Sequence, residues 1–334
     1  MLSRSLLATT AAAVGLLALG AVAPKWLLFL ATMAASNGLA VLGIFVLMRG
    51  GGASFGQGMF FAIGAYVAAL TPQAFGLTDA LLRVLLGTAA AGIAAGLFAP
   101  LLARYRGIFF AMLTLALSMV LFGLLSKTGA LGGSDGITVA KPTLFGAALQ
   151  AERSDFILFG MTVGLGSLAA WGVTVYNHSV AGLLAQAVRG NDLRVEYLGA
   201  SARASLATSF ILCGLLGGLG GAITALVLGH VEPNFSNWTT SGEFVFVAVL
   251  AGHQSVAAVF VASLALEIVR SFSNLYFPNT WQLALGAFLL LVILFRPAGI
   301  GSLWVGKRKR ATAAPALASA PDLATPLAGS QDSR

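Results

Sequence analysis

Solidly apolar runs of about 20 residues recur along most of this chain, and they constrain its fold more than any other feature. A helix rises about 1.5 Å per residue, so such a run matches the roughly 30 Å hydrocarbon core of a bilayer. Membrane-spanning strands would instead read as segments of about ten residues with alternating polarity. The runs predict ten helical spans, at roughly 6–22, 26–48, 55–71, 80–102, 107–127, 155–177, 206–228, 235–251, 255–272 and 281–296. Only 9% of the residues are charged, against about 25% in a soluble domain. The expected fold class is all-α, a polytopic membrane helix bundle of about ten transmembrane helices. It divides into a transmembrane domain over 1–305 and a basic, then disordered, cytoplasmic tail over 306–334. Residues 311–334 are Ala-, Pro- and Ser-rich and offer no apolar face for packing.

Charge sets the expected orientation. If Arg4 is cytoplasmic, alternation puts Arg49, Arg104, Arg106, the 178–205 connection and Lys307–Arg310 on the same side. Thirteen of the 19 lysines and arginines then face the cytoplasm, and Lys25, Arg83, Lys127, Lys141, Arg153 and Arg270 face the other way. This is the positive-inside bias. Both termini are expected in the cytoplasm of a multi-pass protein of the bacterial inner membrane. The net charge of +8 is read as this bias and not as nucleic-acid binding. Two points about the spans stay open. The run 235–251 begins with Asn237, Thr239, Thr240, Ser241 and Glu243, so a broken or partly re-entrant helix covered by protein competes with a simple span. Arg4, the apolar stretch after it and Ala21-Val22-Ala23 also fit a cleavable signal peptide. Cleavage would leave nine spans without inverting the others.

Glycine is abundant, with 41 residues. The pairs Gly214/Gly218, Gly217/Gly221 and Gly92/Gly96 have the spacing that lets helix backbones approach closely. Gly50–Gly58 holds five glycines in nine residues, too many for a regular helix. It reads either as a tight cytoplasmic turn or as an unwound segment lining a cavity, with Ser54 and Gln57 as polar contacts. Asp135-Gly136, in the long 128–154 connection, is a turn pair; a contact with an external partner is the other reading.

The segment 182–199 is the longest charged stretch between apolar runs. Gly190 is expected to end one helix in a left-handed cap. Asn191 then caps a short helix over 192–198, with Asp192 in its first turn and Gly199 ending it. Leu193, Tyr197 and Val195 are apolar, Arg194 and Glu196 charged. Such a helix can lie on membrane lipid or plug into a partner protein. Lipid contact favours a basic polar face; here Asp192 and Glu196 offset Arg189 and Arg194, which favours a protein.

Several chemistries find no support. His178, His230 and His253 are scattered, so no metal cluster is visible. There is no Gly-x-x-x-x-Gly-Lys-Ser/Thr phosphate loop and no convergent Ser/His/Asp or Cys/His set. The single cysteine, Cys213, excludes an intramolecular disulfide and is expected in helix packing. Glu243, Glu267 and Asp155 fall near predicted span ends. No clear mid-bilayer carboxylate remains of the kind that ion-coupled carriers bury. The chain is therefore not expected to supply its own energy, and no catalytic residue, metal or cofactor is expected.

Phe55-Gly56-Gln57-Gly58-Met59-Phe60-Phe61-Ala62-Ile63-Gly64-Ala65-Tyr66 is similar to the S-[LF]-G-[HQ]-x-x-F-F-x-I-G-A-Y segment of branched-chain amino-acid ABC transporter permeases. Arg106-Gly107-Ile108-Phe109-Phe110-Ala111-Met112-Leu113-Thr114-Leu115-Ala116 resembles R-G-I-Y-F-A-[MI]-L-T-L-A. Gly132–Gly136 matches the G-G-x-D-G of the LivM-type rather than the LivH-type subunit. Trp238–Glu243 resembles W-x-x-S-G-E, and Phe295–Ile300 resembles F-x-P-x-G-I. The likeness covers roughly 35–303. It departs at the glycine-rich turn after Arg49 and at His253-Gln254-Ser255-Val256-Ala257-Ala258, where the family usually has G-x-G-x-x-x-G-P.

The resemblance implies one of two permease subunits of a bacterial ABC importer for branched-chain or related amino acids. The implied partners are a second permease of LivH type, two ABC ATPase subunits and a periplasmic solute-binding protein. The segment 182–199 would be the coupling segment, with Arg189, Asn191, Asp192, Arg194, Glu196, Tyr197 and Gly199 meeting an ATPase. Ser54, Gln57, Phe60 and Thr114 are the expected substrate-pathway residues. Urea permeases of the same superfamily share much of the pattern, so a urea or amide permease is an alternative. A secondary carrier is a further one, and a membrane-embedded enzyme a third.

Overall fold

The computed structural model describes residues 2–144, 147–148, 154–276, 280–295, 299 and 301. Twelve α-helices run through them: α1 Leu2–Val22, α2 Lys25–Arg49, α3 Gln57–Phe75, α4 Ala80–Leu102, α5 Gly107–Lys127, α6 Ser154–His178, α7 Val180–Gly190, α8 Asp192–Tyr197, α9 Ala202–Leu228, α10 Trp238–Ala251, α11 Val256–Tyr276 and α12 Trp281–Phe295. Each predicted apolar run coincides with a helix. Seven of them, α2–α6, α9 and α11, are long and apolar enough to cross a membrane. The protein is an all-α polytopic membrane bundle. Arg153, Arg296, Lys307–Arg310 and the rest of the 306–334 tail lie outside the described residues.

The remaining expected spans are α1, α10 and α12. Thr9–Val22 within α1 is a shorter apolar stretch, and α12 has 15 residues. Helix α10 has only 14 residues, about 21 Å at 1.5 Å per residue. A 3₁₀ turn, Pro233–Ser236, precedes it. Protein covers this irregular backbone: the Ser118 hydroxyl donates to the Ser236 carbonyl at 2.7 Å, and Gly58 N–H donates to Ser241 Oγ at 3.0 Å. The broken-helix reading of this span fits the structure, and the cover satisfies backbone groups that hydrocarbon could not.

Helix α9 runs through the centre, against α2, α3 and α4. Glycine makes this possible. A Cβ on Gly64 would overlap the Gly218 carbonyl, and one on Gly221 the Phe61 carbonyl. Of the expected glycine pairs, Gly96 departs: nothing lies within 4 Å of where its Cβ would be. Below the crossing, Phe210 stacks edge-on with Phe60 at 5.3 Å and Phe110 at 5.7 Å between ring centroids.

The connections gather at two ends. At one end lie the links 50–56, 103–106 and 252–255 together with α7 and α8; at the other lie 76–79, 128–144 and 229–237. The second end is tied down. Ile137–Thr138 pairs antiparallel with His230–Val231. Buried Arg83, in the first turn of α4, donates through Nε to the Ala68 carbonyl at 2.8 Å and through Nη1 to the Ala140 carbonyl at 2.9 Å. Gly136 follows the Gly133–Asp135 turn with φ +77°, as the Asp-Gly pair predicts.

Four expectations need correction. Gly190 is the last residue of α7 and not a left-handed cap; Asn191, in extended backbone, follows it directly. The short helix covers Asp192–Tyr197 and not 192–198. Glu267 is not near a span end, because α11 continues to Tyr276 and leaves it well inside the helix. Arg270, expected on the outer face, also lies within α11 and faces Glu243 inside the bundle.

Candidate functional site

At the first end, α7 and α8 lie against the bundle. The Ser179 side chain caps α7, accepting from Gly182 N–H. Gly182, Ala185 and Val188 face inward, while Val180 and Leu183 are exposed. A helix ending at Gly190 was expected; its amphipathic character was not read, although the apolar 182, 185, 188 spacing is its signature. Asn191 Oδ1 accepts from Arg194 N–H at 2.9 Å, the cap its side chain predicts. Arg106, just ahead of α5, forms an ion pair with Asp192. Arg49 Nη2 donates to Gln186 Oε1 at 3.3 Å. Gly51, at φ +81°, approaches so closely that a Cβ would lie 3.2 Å from Arg189 Cα. A cleft of about 230 Å³ remains between the glycine turn, Arg106 and Val188–Asp192.

Only Val195 of α8 turns inward, onto Val188 and Ala202. Leu193 is 62% exposed and Tyr197 90% exposed. Arg189, Asn191, Arg194, Glu196, Tyr197 and Gly199 are all exposed at this end, with Asp192 half-buried against Arg106. Gly199 takes φ +81°, and its N–H donates to the Glu196 carbonyl at 2.9 Å. His253, in the α10–α11 link, has its pKa lowered by burial first, and then by Arg189 and Arg49.

The four expected pathway residues cluster deeper, and all are buried. Gln57 Nε2 donates to the Ala40 carbonyl at 2.7 Å and the Cys213 carbonyl at 3.2 Å; the Cys213 thiol donates back to Gln57 Oε1 at 2.9 Å. Ser54 Oγ accepts from Gly56 N–H, and Thr114 Oγ1 from Phe55 N–H. Phe60 belongs to the aromatic stack below α9. The glycine segment is therefore a turn whose polar side chains bond to backbone.

A different set of residues lines a second cavity, about 560 Å³ between α2, α9, α10, α11 and the 229–237 link. Arg270 Nη1 lies 3.4 Å from Glu243 Oε2. Asn37 Nδ2 donates to Glu267 Oε2 at 3.2 Å. Ser263 Oγ also lines the cavity; it is buried, at 3% exposure, and has no hydrogen-bond partner. Apolar walls come from Met33, Phe61, Val247 and Leu266 among others. Sequence reading missed this group. The signal was present in part: Glu267 and Arg270 are three apart, hence on one helix face, and Asn37 interrupts an apolar run. Among the described residues no group of three or more His, Cys, Asp or Glu could hold a metal ion.

Residues 26–294, which include both the cavity and α7–α8, match the family described as branched-chain amino acid transport system / permease component. The high-affinity branched-chain amino acid transport system permease protein LivM of Escherichia coli is 30% identical over 268 residues, 73% of this chain and 62% of that protein. The protein of the same description from Salmonella typhimurium is 30% identical over 270 residues, again 73% of this chain and 62% of that one. The chain thus spans less than two thirds of the length of these relatives. No solved structure matches it. By its sequence match across the helix bundle, the chain belongs to the family of branched-chain amino acid transport permease components.

Proposed function

We propose that this chain is one membrane-spanning permease subunit of a bacterial ABC importer, carrying branched-chain or related amino acids across the inner membrane. A periplasmic binding protein would deliver the solute to the end bearing the 128–144 and 229–237 links. A second permease of LivH type would complete the pathway, and two ATPase subunits would bind at the α7–α8 end. That end would face the cytoplasm, with both termini. The observation that carries this reading is α8: Leu193 and Tyr197 stand out from a polar segment, and no described residue covers them. Exposed apolar side chains on a rigidly capped helix suit a protein groove. Arg189, Asn191, Asp192, Arg194, Glu196, Tyr197 and Gly199 would form the handle through which ATPase closure pushes on α9 and α5. Ser54, Gln57, Phe60 and Thr114 would meet solute only when α3 and α5 separate around the glycine turn.

A second reading, an ion-coupled carrier, gains from Glu243 and Glu267 lying inside the bundle, where buried ionisable groups often mark ion pathways. Family membership favours the first. A cysteine at Glu196, in a Cys213→Ser background, tests it. Crosslinking to a co-expressed ATPase subunit is expected; transport that persists in the absence of any ATPase would refute the importer.

A further inference from the structure

We infer that the cavity between α2, α10 and α11 is a binding site for an amino-acid zwitterion, a reading that rests on the proposed transport function and names its site. Three charged side chains inside a membrane bundle are costly, each about 2.5–3.5 kcal/mol at mid-bilayer on insertion scales. Helix packing alone does not call for them. Their arrangement fits one class of ligand. Glu243 and Arg270 are paired at 3.4 Å, Glu267 is held by the Asn37 amide at 3.2 Å, and Glu232 of the 229–237 link also lines the cavity, so the lining carries three carboxylates to one cation. An α-ammonium against Glu267 and an α-carboxylate against Arg270 produce an alternating row: Glu267, ammonium, carboxylate, Arg270, Glu243. Each of these five charges then has an opposite neighbour, which is how a desolvated charge is stabilised.

Two more features point to a ligand. The Ser263 hydroxyl lines the cavity one helical turn from Glu267, buried and without a partner; a buried hydroxyl left so costs free energy that a bound polar group recovers. Met33, Phe61, Val247 and Leu266 give an apolar wall for an aliphatic side chain. At about 560 Å³ the cavity lies within the roughly 300–1,000 Å³ range of small-molecule sites, with room for the solute and water. Urea has no separated charges to meet Glu267 and Arg270, so the site selects amino acids over neutral amides.

Ser263→Cys in a Cys213→Ser background tests this in the assembled complex in lipid nanodiscs. A small, water-soluble thiol reagent is expected to label Ser263→Cys, and excess leucine to slow that labelling while equal urea does not. Labelling unaffected by leucine, equal protection by urea, or no labelling at all would overturn the site. In cells, Glu267→Gln and Arg270→Met should each lower leucine uptake about tenfold or more at equal membrane abundance, because a half-buried charge in the cavity is left without its counterpart. Wild-type uptake by both variants would also overturn it. If the unaltered protein supports no leucine uptake, the transport function fails, whereas the labelling result still decides whether the cavity binds zwitterions.

Discussion

Gln57 illustrates what one polar side chain does in an apolar bundle. It bonds to α2 through the Ala40 carbonyl and to α9 through the Cys213 carbonyl and thiol, fixing the start of α3 against both. Those carbonyls keep their helical bonds, so the loss on Gln57→Leu is about 1 kcal/mol for each side-chain bond removed. The melting midpoint of the detergent-solubilised protein should fall by several degrees; an unchanged midpoint would mean that the bonds do not hold α3. Polarity and the glycine setting of Gln57 were legible in the sequence, but its partner Cys213 is 156 residues away, and no local pattern announces that. His253 gives a pH prediction. Its pKa is lowered by burial and by Arg189 and Arg49, so the folded state disfavours its charged form. The stability from neutral His253 is complete above the ordinary histidine pKa of about 6.5. It is lost as pH falls through that value toward the lowered one. Between pH 7 and pH 5 the melting midpoint of His253→Gln should drop less than that of the unaltered protein.

The α7–α8 segment is the element through which the proposed importer would be driven. Its caps were legible because they are local: Asn191 bonds to the N–H three residues on, and Gly199 supplies the positive φ beyond the helix. The end of α7 was legible in the same way, although Gly190 is its last helical residue and not a left-handed cap. Gly199→Val forces a β-branched residue into φ +81° and should cost about 1–3 kcal/mol of local strain. Glu196→Lys places a second positive charge beside Arg194. Both variants should reach the membrane at normal abundance, since neither lies in a spanning helix, and both should lose ATP-dependent uptake. Normal uptake by both would make this segment a simple connection.

At the scale of the whole molecule, the spans were legible because a bilayer demands long apolar helices and little else. The cavity was not. Asn37 and Glu267 are 230 residues apart in sequence, and only the packing of α2, α10 and α11 brings them together. Orientation rests on charge asymmetry. Single cysteines at Ser134 and Ser201 in a Cys213→Ser background should label from opposite sides of the membrane, Ser134 from outside and Ser201 from inside; labelling from one side would break the alternation of spans. The importer itself is tested most directly in proteoliposomes holding this chain, its second permease and the two ATPase subunits. With binding protein and labelled leucine outside, uptake should require ATP inside and be indifferent to an imposed proton or sodium gradient. Uptake that follows the ion gradient and proceeds without ATP would contradict the account and make the chain an ion-coupled carrier.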